Sequence, residues 1–229
     1  MSVLSDLQKI NPQIQILPVT DSSFTRYGRV LIDVKADEAI KAARKLWVLK
    51  DGFAAATSVP EFEADKDLQS TIANRIYGEM PVEVGWVYGR NNTLNALEFH
   101  QGSEVHISLE DTIFLVAHYE EIEWRPEPYL DTNKVKAYFA TKGSVTELYT
   151  WGLHFVPINA SIKTGFCDIF TLPRGTGNPL TLPKPNTPDG RILIARNQWL
   201  FCHPEAKDMV AGGNFPGLYG PNVVINQLP

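Results

Sequence analysis

A chain of 229 residues with 44% hydrophobic content carries enough apolar side chain for one substantial core, so one globular unit is expected over 1–229. A formal charge of −5, with no cluster of Lys or Arg, excludes a polyanion-binding surface, and nucleic acid is not an expected partner. No stretch approaches the ~20 apolar residues of a membrane span, and the N-terminus lacks the pattern of a secretory signal. A soluble, cytoplasmic protein that does not engage a membrane is expected.

Taken in chain order, Arg26 to Val34 reads as a strand, and Asp37 is placed to cap a helix whose Ala39, Ile40, Ala43, Leu46 and Trp47 recur at helical spacing. Pro60 to Glu79 is polar and weakly helical around Leu68 to Ile76. Short β-type runs then dominate: 82–88, 96–100, 104–108, 112–119, 135–140, 145–151 and 154–158, the series of an antiparallel sandwich or barrel. The interruption at 120–133, rich in Glu, Pro and Trp, is expected to be a surface loop that covers the barrel mouth. Two further strands are expected at 166–172 and 191–201, separated by a proline-rich stretch. Cys167 and Cys202 each lie in an apolar strand-like run, which points to buried thiols.

The residues able to do chemistry concentrate in one place. Alternation along a strand puts Glu98 and His100 on one face, and Glu104 and His106 on one face of the next strand. With a hairpin turn at Gln101-Gly102-Ser103, Glu98, His100 and Glu104 converge within reach of a single ion, and a fourth ligand must come from elsewhere. His118 and His203 read as structural, the latter bracing a loop or the termini.

At this point the sequence resembles the cupin superfamily, whose first motif is His-x-His followed by Glu and Gly. Glu98 stands for the first His, His100 and Glu104 match, and Asp111 replaces the Gly. The second motif is matched by Gly143 and His154, while its Pro, Gly and Asn are not kept. The resemblance implies a mainly β chain: a cupin-type antiparallel β-barrel or jelly roll with a few peripheral helices, its core barrel roughly 82–202, preceded by a strand-helix extension over 1–81. It also implies Glu98, His100, Glu104 and His154 as metal ligands. The segment Tyr88 to His100, with Arg196 to Leu200 and His203-Pro204, is similar to a bacterial cupin family long labelled as a domain of unknown function and associated with sulfosugar isomerisation.

Two carboxylates and two imidazoles suit one divalent ion, Mn, Fe, Zn, Ni or Co. An ion that binds a carbonyl and its neighbouring hydroxyl favours aldose–ketose isomerisation, with sulfoquinovose to sulfofructose as the specific case that the resemblance raises. The alternatives are a lyase of the ureidoglycolate lyase type and a non-catalytic sugar-binding cupin. Glu147, His106 and Tyr149 are the candidates to carry the proton between carbons. Arg90, Lys142 and Arg174 are candidates to bind an anionic substituent, and Trp151 to wall the sugar ring. A small sugar or sugar derivative is the expected partner, and pairing through edge strands makes a homodimer the expected assembly.

Overall fold

The computed structural model describes residues 2–229, and the chain folds as two facing β-sheets, with three helices packed outside the first and one outside the second. The first sheet contains β2 (Gly28–Val30), β3 (Phe53–Ala56), β4 (Val82–Gly89), β6 (Glu104–Ser108), β10 (Val145–Leu148) and β13 (Phe166–Pro173). Its order is β2-β10-β6-β13-β4-β3, antiparallel throughout. The second contains β1 (Ile16–Pro18), β7 (Thr112–His118), β9 (Lys136–Ala140), β11 (Gly152–Leu153) and β12 (Ile158–Asn159).

Beside the second sheet lies a three-stranded one of β5 (Ala96–Phe99), β14 (Leu193–Ala195) and β15 (Gln198–Cys202). The backbones of Glu98 and His154 exchange hydrogen bonds of 2.7 and 3.0 Å, which ties β5 to the segment after β11. A small parallel pair, β8 (Leu130–Asp131) and β16 (Leu218–Tyr219), completes the β structure. This is the mainly β, antiparallel barrel expected from the sequence, but it reaches beyond 82–202: β1, β2 and β3 of the N-terminal stretch pair directly into its sheets.

Side-chain alternation sorts the strands into two faces. On β4, β6 and β13 the outward set, including Val84, Trp86, Val105, Ile107, Cys167 and Ile169, packs under the helices α2 (Asp37–Leu46), α3 (Pro60–Glu63) and α4 (Lys66–Tyr77). Those helices answer with Ala39, Ala43, Phe62, Leu68 and Ile72. The inward set of β6 and β13 is Glu104, His106, Ser108, Asp168 and Phe170, all buried, so the barrel interior here is polar by construction. At β7, β9 and β10 the interior is instead filled by Phe114, Val116, Tyr138 and Leu148 with Phe24 and Tyr27. α1 (Val3–Ile10) buries Leu7 in the cluster outside the second sheet, and α5 (Pro188–Ile192) and α6 (Lys207–Ala211) are short. No helix of the described residues is long and apolar enough to cross a membrane. Cys167 and Cys202 are both free and buried.

Several elements depart from the sequence reading for identifiable reasons. The strand expected at Arg26–Val34 shrinks to β2 because Asp21 caps a 3-10 turn over Ser22–Arg26, accepting from the Ser23 amide at 2.9 Å. Asp37 does not cap α2; Ala36 holds that position without a side-chain bond. Asp65 serves instead, accepting from Ala39 of α2 at 3.1 Å and from Leu68 of α4 at 3.0 Å. One carboxylate thus stops two helices from leaving amides unpaired, so Asp65→Ala should cost about 2 kcal/mol, the top of the range for a single cap. Urea unfolding would show it as a lowered midpoint at unchanged slope, and an unchanged midpoint would contradict the double cap.

The run at 191–201 is broken into α5, β14 and β15 by a turn at Arg196-Asn197, where Asn197 adopts φ 57°. The 154–158 run is not a strand: only the His154 bridge precedes β12. The 120–133 loop holds β8 and two 3-10 turns, and its Trp124 and Arg125 border a shallow cleft with Phe99, Tyr119 and Trp199, while none of its residues lines the cavity between the sheets.

Candidate metal centre

Gln101 to Ser103 is a crossover rather than a hairpin turn, because β5 pairs with β15 while β6 pairs with β10 and β13. The expected convergence still occurs, since the inner faces of opposed sheets look at each other. Glu98 on β5 and His100 just past its end point inward from one wall, and Glu104 and His106 on β6 from the other. His154 enters through its backbone pairing with Glu98.

Glu104 is the hub. Its Oε2 lies 3.0 Å from His154 Nε2 and 3.3 Å from His100 Nε2, and its Oε1 lies 3.1 Å from His106 Nε2. The outer nitrogens of two rings are already committed: Nδ1–H of His100 donates to the Asn197 carbonyl at 2.8 Å and that of His154 to the Gly152 carbonyl at 2.9 Å. Each therefore turns Nε2 to the centre, the second-partner arrangement that fixes metal-binding imidazoles. His106 has Asp168 Oδ2 behind its Nδ1 at 3.4 Å, and neither of its nitrogens completes a hydrogen bond. Glu98 is half-buried and accepts a 2.6 Å bond from Gln198 Nε2.

The electrostatics follow from one carboxylate among three buried rings. Burial alone would lower the His100 pKa, but bonding to Glu104 and the charges of Glu98 and Glu104 raise it from 6.5 to about 9. His106 likewise resists burial and rises to about 9 beside Glu104 and Asp168. Burial would raise the Glu104 pKa, yet the His106 charge and the close approach of the three imidazoles hold it well below the usual carboxylate range. Protons on His100 and His106 thus perform the neutralising task for which a cation is suited. Two triads of ligand atoms, Glu98-His100-His154 and Glu104-His106-His154, each lie within 4.8 Å of one another. Imidazole and carboxylate donors in this number fit a borderline divalent ion.

The cluster forms the floor of a cavity of about 410 Å³ walled by Phe53, Val87, Phe155, Phe170 and Leu172, with Thr57, Thr176 and Gln198 as polar lining. Of the residues anticipated from sequence, Glu98, His100, Glu104, His106 and His154 meet here. The others do not. Glu147 lies on the outward face of β10 with Val145, bound to Arg29 at 2.6 Å and to Ser103 at 2.8 Å, because alternation turns it away from Thr146 and Leu148. Tyr149 and Trp151 pack on each other, with Trp151 half exposed. Arg90 pairs with Asp51, Lys142 with Glu110 and Arg174 with Glu63, each engaged elsewhere on the surface.

Three supporting residues escaped the sequence reading. Asp168 is fully buried on β13, opposite Ser108 of β6, and looked like one polar position in an apolar strand. Gln198 and Asn197 sat inside what read as a single strand. The Arg-Asn pair was the available signal, since Asn tolerates the left-handed turn that places its carbonyl against His100. His118 and His203 are structural as expected: His118 Nδ1 accepts from the Glu120 amide at 3.3 Å, and His203 Nε2–H donates to the Gly220 carbonyl at 3.0 Å.

No curated protein matches the chain. Solved structures similar to it include salicylate 1,2-dioxygenase from Pseudaminobacter salicylatoxidans, at 14% identity and a TM-score of 0.29 over 59% of this chain and 31% of that one. Oxalate oxidase in complex with the substrate analogue glycolate gives 14% identity and a TM-score of 0.34 over 62% and 64%. Vicilin from Corylus avellana (hazelnut) gives 9% and 0.35 over 72% and 38%. The chain thus spans about a third of the length of the dioxygenase chain. Residues 16–223 match the family described as "Domain of unknown function (DUF4867)", and the chain belongs to that family.

Proposed function

We propose that this protein is a metal-dependent enzyme of cupin type that interconverts the aldose and ketose forms of a small sugar. The observation that carries the reading is the meeting of three imidazoles and two carboxylates at the floor of a cavity large enough for a monosaccharide. A divalent cation held there supplies Lewis acidity, which acidifies the proton on the carbon next to a carbonyl.

The chain's own residues supply the remainder. Thr57 and the Oε1 of Gln198 offer hydrogen bonds to hydroxyl groups, while Phe53, Phe155 and Phe170 give apolar walls for the C–H faces of a sugar and exclude water. Proton transfer between adjacent carbons requires a group within the cavity, which removes Glu147 and Tyr149 as carriers and leaves Glu98 and His106. No Lys or Arg lines the cavity among the described residues, so a neutral sugar fits it better than sulfoquinovose. A sulfonate would have to recruit Arg196, whose guanidinium lies against Gly175 beside the rim residues Thr176 and Gly177. The same lack of a basic group weighs against a lyase that binds a carboxylate.

The test is NMR in D₂O with metal-loaded protein and a panel of neutral aldoses together with sulfoquinovose. Ketose formation with deuterium entering at C1 of the ketose, and at C2 of the recovered aldose, is expected for a neutral aldose. Cleavage products would replace the isomerase by the lyase, and an unchanged panel with tight sugar binding would leave a non-catalytic binding protein.

A further inference from the structure

We propose that His106 completes the cation's donor set with His100, Glu104 and His154, and that Glu98, the motif position, is instead the group that faces the substrate. The proposal rests on the metal-enzyme reading above and divides its residues into holders and an actor.

The three imidazoles are treated alike by the fold. Each Nδ1 faces an acceptor: the Asn197 carbonyl bonded to His100, the Gly152 carbonyl bonded to His154, and the Asp168 carboxylate 3.4 Å from His106 without a completed bond. Each brings Nε2 to within 3.3 Å of the Glu104 carboxylate. A carboxylate behind an imidazole is the usual support of a ligating histidine. His106 is also the buried ring whose two nitrogens lack a hydrogen bond, and a cation at Nε2 would remove the Nε2 share of that cost. Asp168 shares this condition, with Oδ1 unpartnered at zero exposure and Oδ2 bonded to Ser108 at 3.1 Å. A buried carboxylate beside an unsatisfied ring makes sense as a positioning residue for a ligand and has no evident use otherwise.

Glu98 behaves differently. Among the described residues it forms no ion pair with any imidazole, whereas Glu104 pairs with all three. Its Oε2 is held by Gln198 at 2.6 Å, it is half-buried where Glu104 is only 6% exposed, and it lines the cavity. A carboxylate anchored by an amide and open to the cavity can take a proton from one substrate carbon and return it to the next. The C–H bond at C2 breaks as an O–H bond forms on Glu98; that proton, or a solvent deuteron exchanged for it, closes the new C–H bond at C1, while the hydroxyl proton leaves O2 and O1 gains one.

Chelator-stripped wild type, His106→Gln, Asp168→Asn and Glu98→Gln are titrated with Co²⁺ and followed by visible absorption, with folding checked by circular dichroism. His106→Gln and Asp168→Asn should each weaken Co²⁺ binding by about tenfold or more and shift the absorption bands. Glu98→Gln should bind Co²⁺ within about threefold of wild type with unshifted bands, while deuterium exchange at C2 falls by about a hundredfold or more. If His106→Gln does not fold, Asp168→Asn, which leaves the ring in place, decides the donor assignment. Shifted bands and weakened binding in Glu98→Gln, with His106→Gln and Asp168→Asn like wild type, overturn the assignment and leave the metal site standing. Full exchange in Glu98→Gln overturns the proton-carrier half. A wild type that takes up no Co²⁺ overturns the metal reading and this proposal with it.

Discussion

Glu104→Gln is expected to abolish tight cation binding and to destabilise the chelated protein by about 3–5 kcal/mol, the loss seen when one partner of a buried charge group is removed. The carboxylate is 6% exposed and touches three imidazoles at 3.0 to 3.3 Å. With an amide in its place, the NH₂ end meets at least one ring nitrogen that carries a proton, donor against donor, and the remaining rings lose the charge that justified burying them. Elemental analysis of the purified variant and urea unfolding in the presence of chelator read the two effects separately. A variant that keeps full metal and full stability would remove Glu104 from the centre of the site.

The same cluster sets a pH dependence for chelated wild type. Glu104 is depressed below its ordinary value of 4.5, so its contribution is present above that value and lost as pH falls through the lowered pKa. His100 and His106 are raised from 6.5 to about 9, so theirs is fully present below pH 6.5 and lost as pH rises toward about 9. Site-derived stability is therefore greatest between about pH 4.5 and 6.5 and declines from 6.5 to 9. Glu104→Gln should flatten that decline, because the rings no longer have the charge that raised them. Urea midpoints measured across this range in chelator would contradict the account if the two proteins ran parallel.

The sequence made the site legible because strand alternation is a local rule. Glu98 and His100, and Glu104 and His106, share faces whichever strands they pair with, so the convergence survived the wrong assignment of Gln101 to Ser103 as a hairpin. What alternation cannot give is which sheet a strand joins. That depends on long-range pairing, such as Glu98 with His154 or Trp199 with Phe99, which no short window contains. The same rule, applied once more, would have rejected Glu147, which is one residue out of phase with Thr146 and Leu148 on the inward face. Surface cations failed for a different reason. Arg90, Lys142 and Arg174 find partners in Asp51, Glu110 and Glu63, all distant in sequence. Asp168 was invisible because its role exists only across the β6–β13 pairing that sets it beside His106.

Phe170→Ala should cost about 3–5 kcal/mol, the usual penalty for truncating a buried aromatic ring. Phe170 is 5% exposed, stands in register with His106 across β13 and β6, and forms one wall of the cavity. Its ring lies over Gly85 of β4, where an added methyl would fall 2.6 Å from the ring and 2.3 Å from the Ala56 carbonyl of β3. Gly85→Ala is therefore overpacked from two sides and should cost about 3 kcal/mol. Combining it with Phe170→Leu should recover part of that loss, because the smaller side chain vacates the space the methyl needs. Recovery must stay incomplete, since the Ala56 oxygen belongs to the β3 backbone paired with Trp86 and does not shrink. None of these changes removes a donor, so bound metal should remain at full occupancy while urea midpoints fall. Metal loss in parallel with stability would mean that the cavity wall, and not the floor, holds the ion in place.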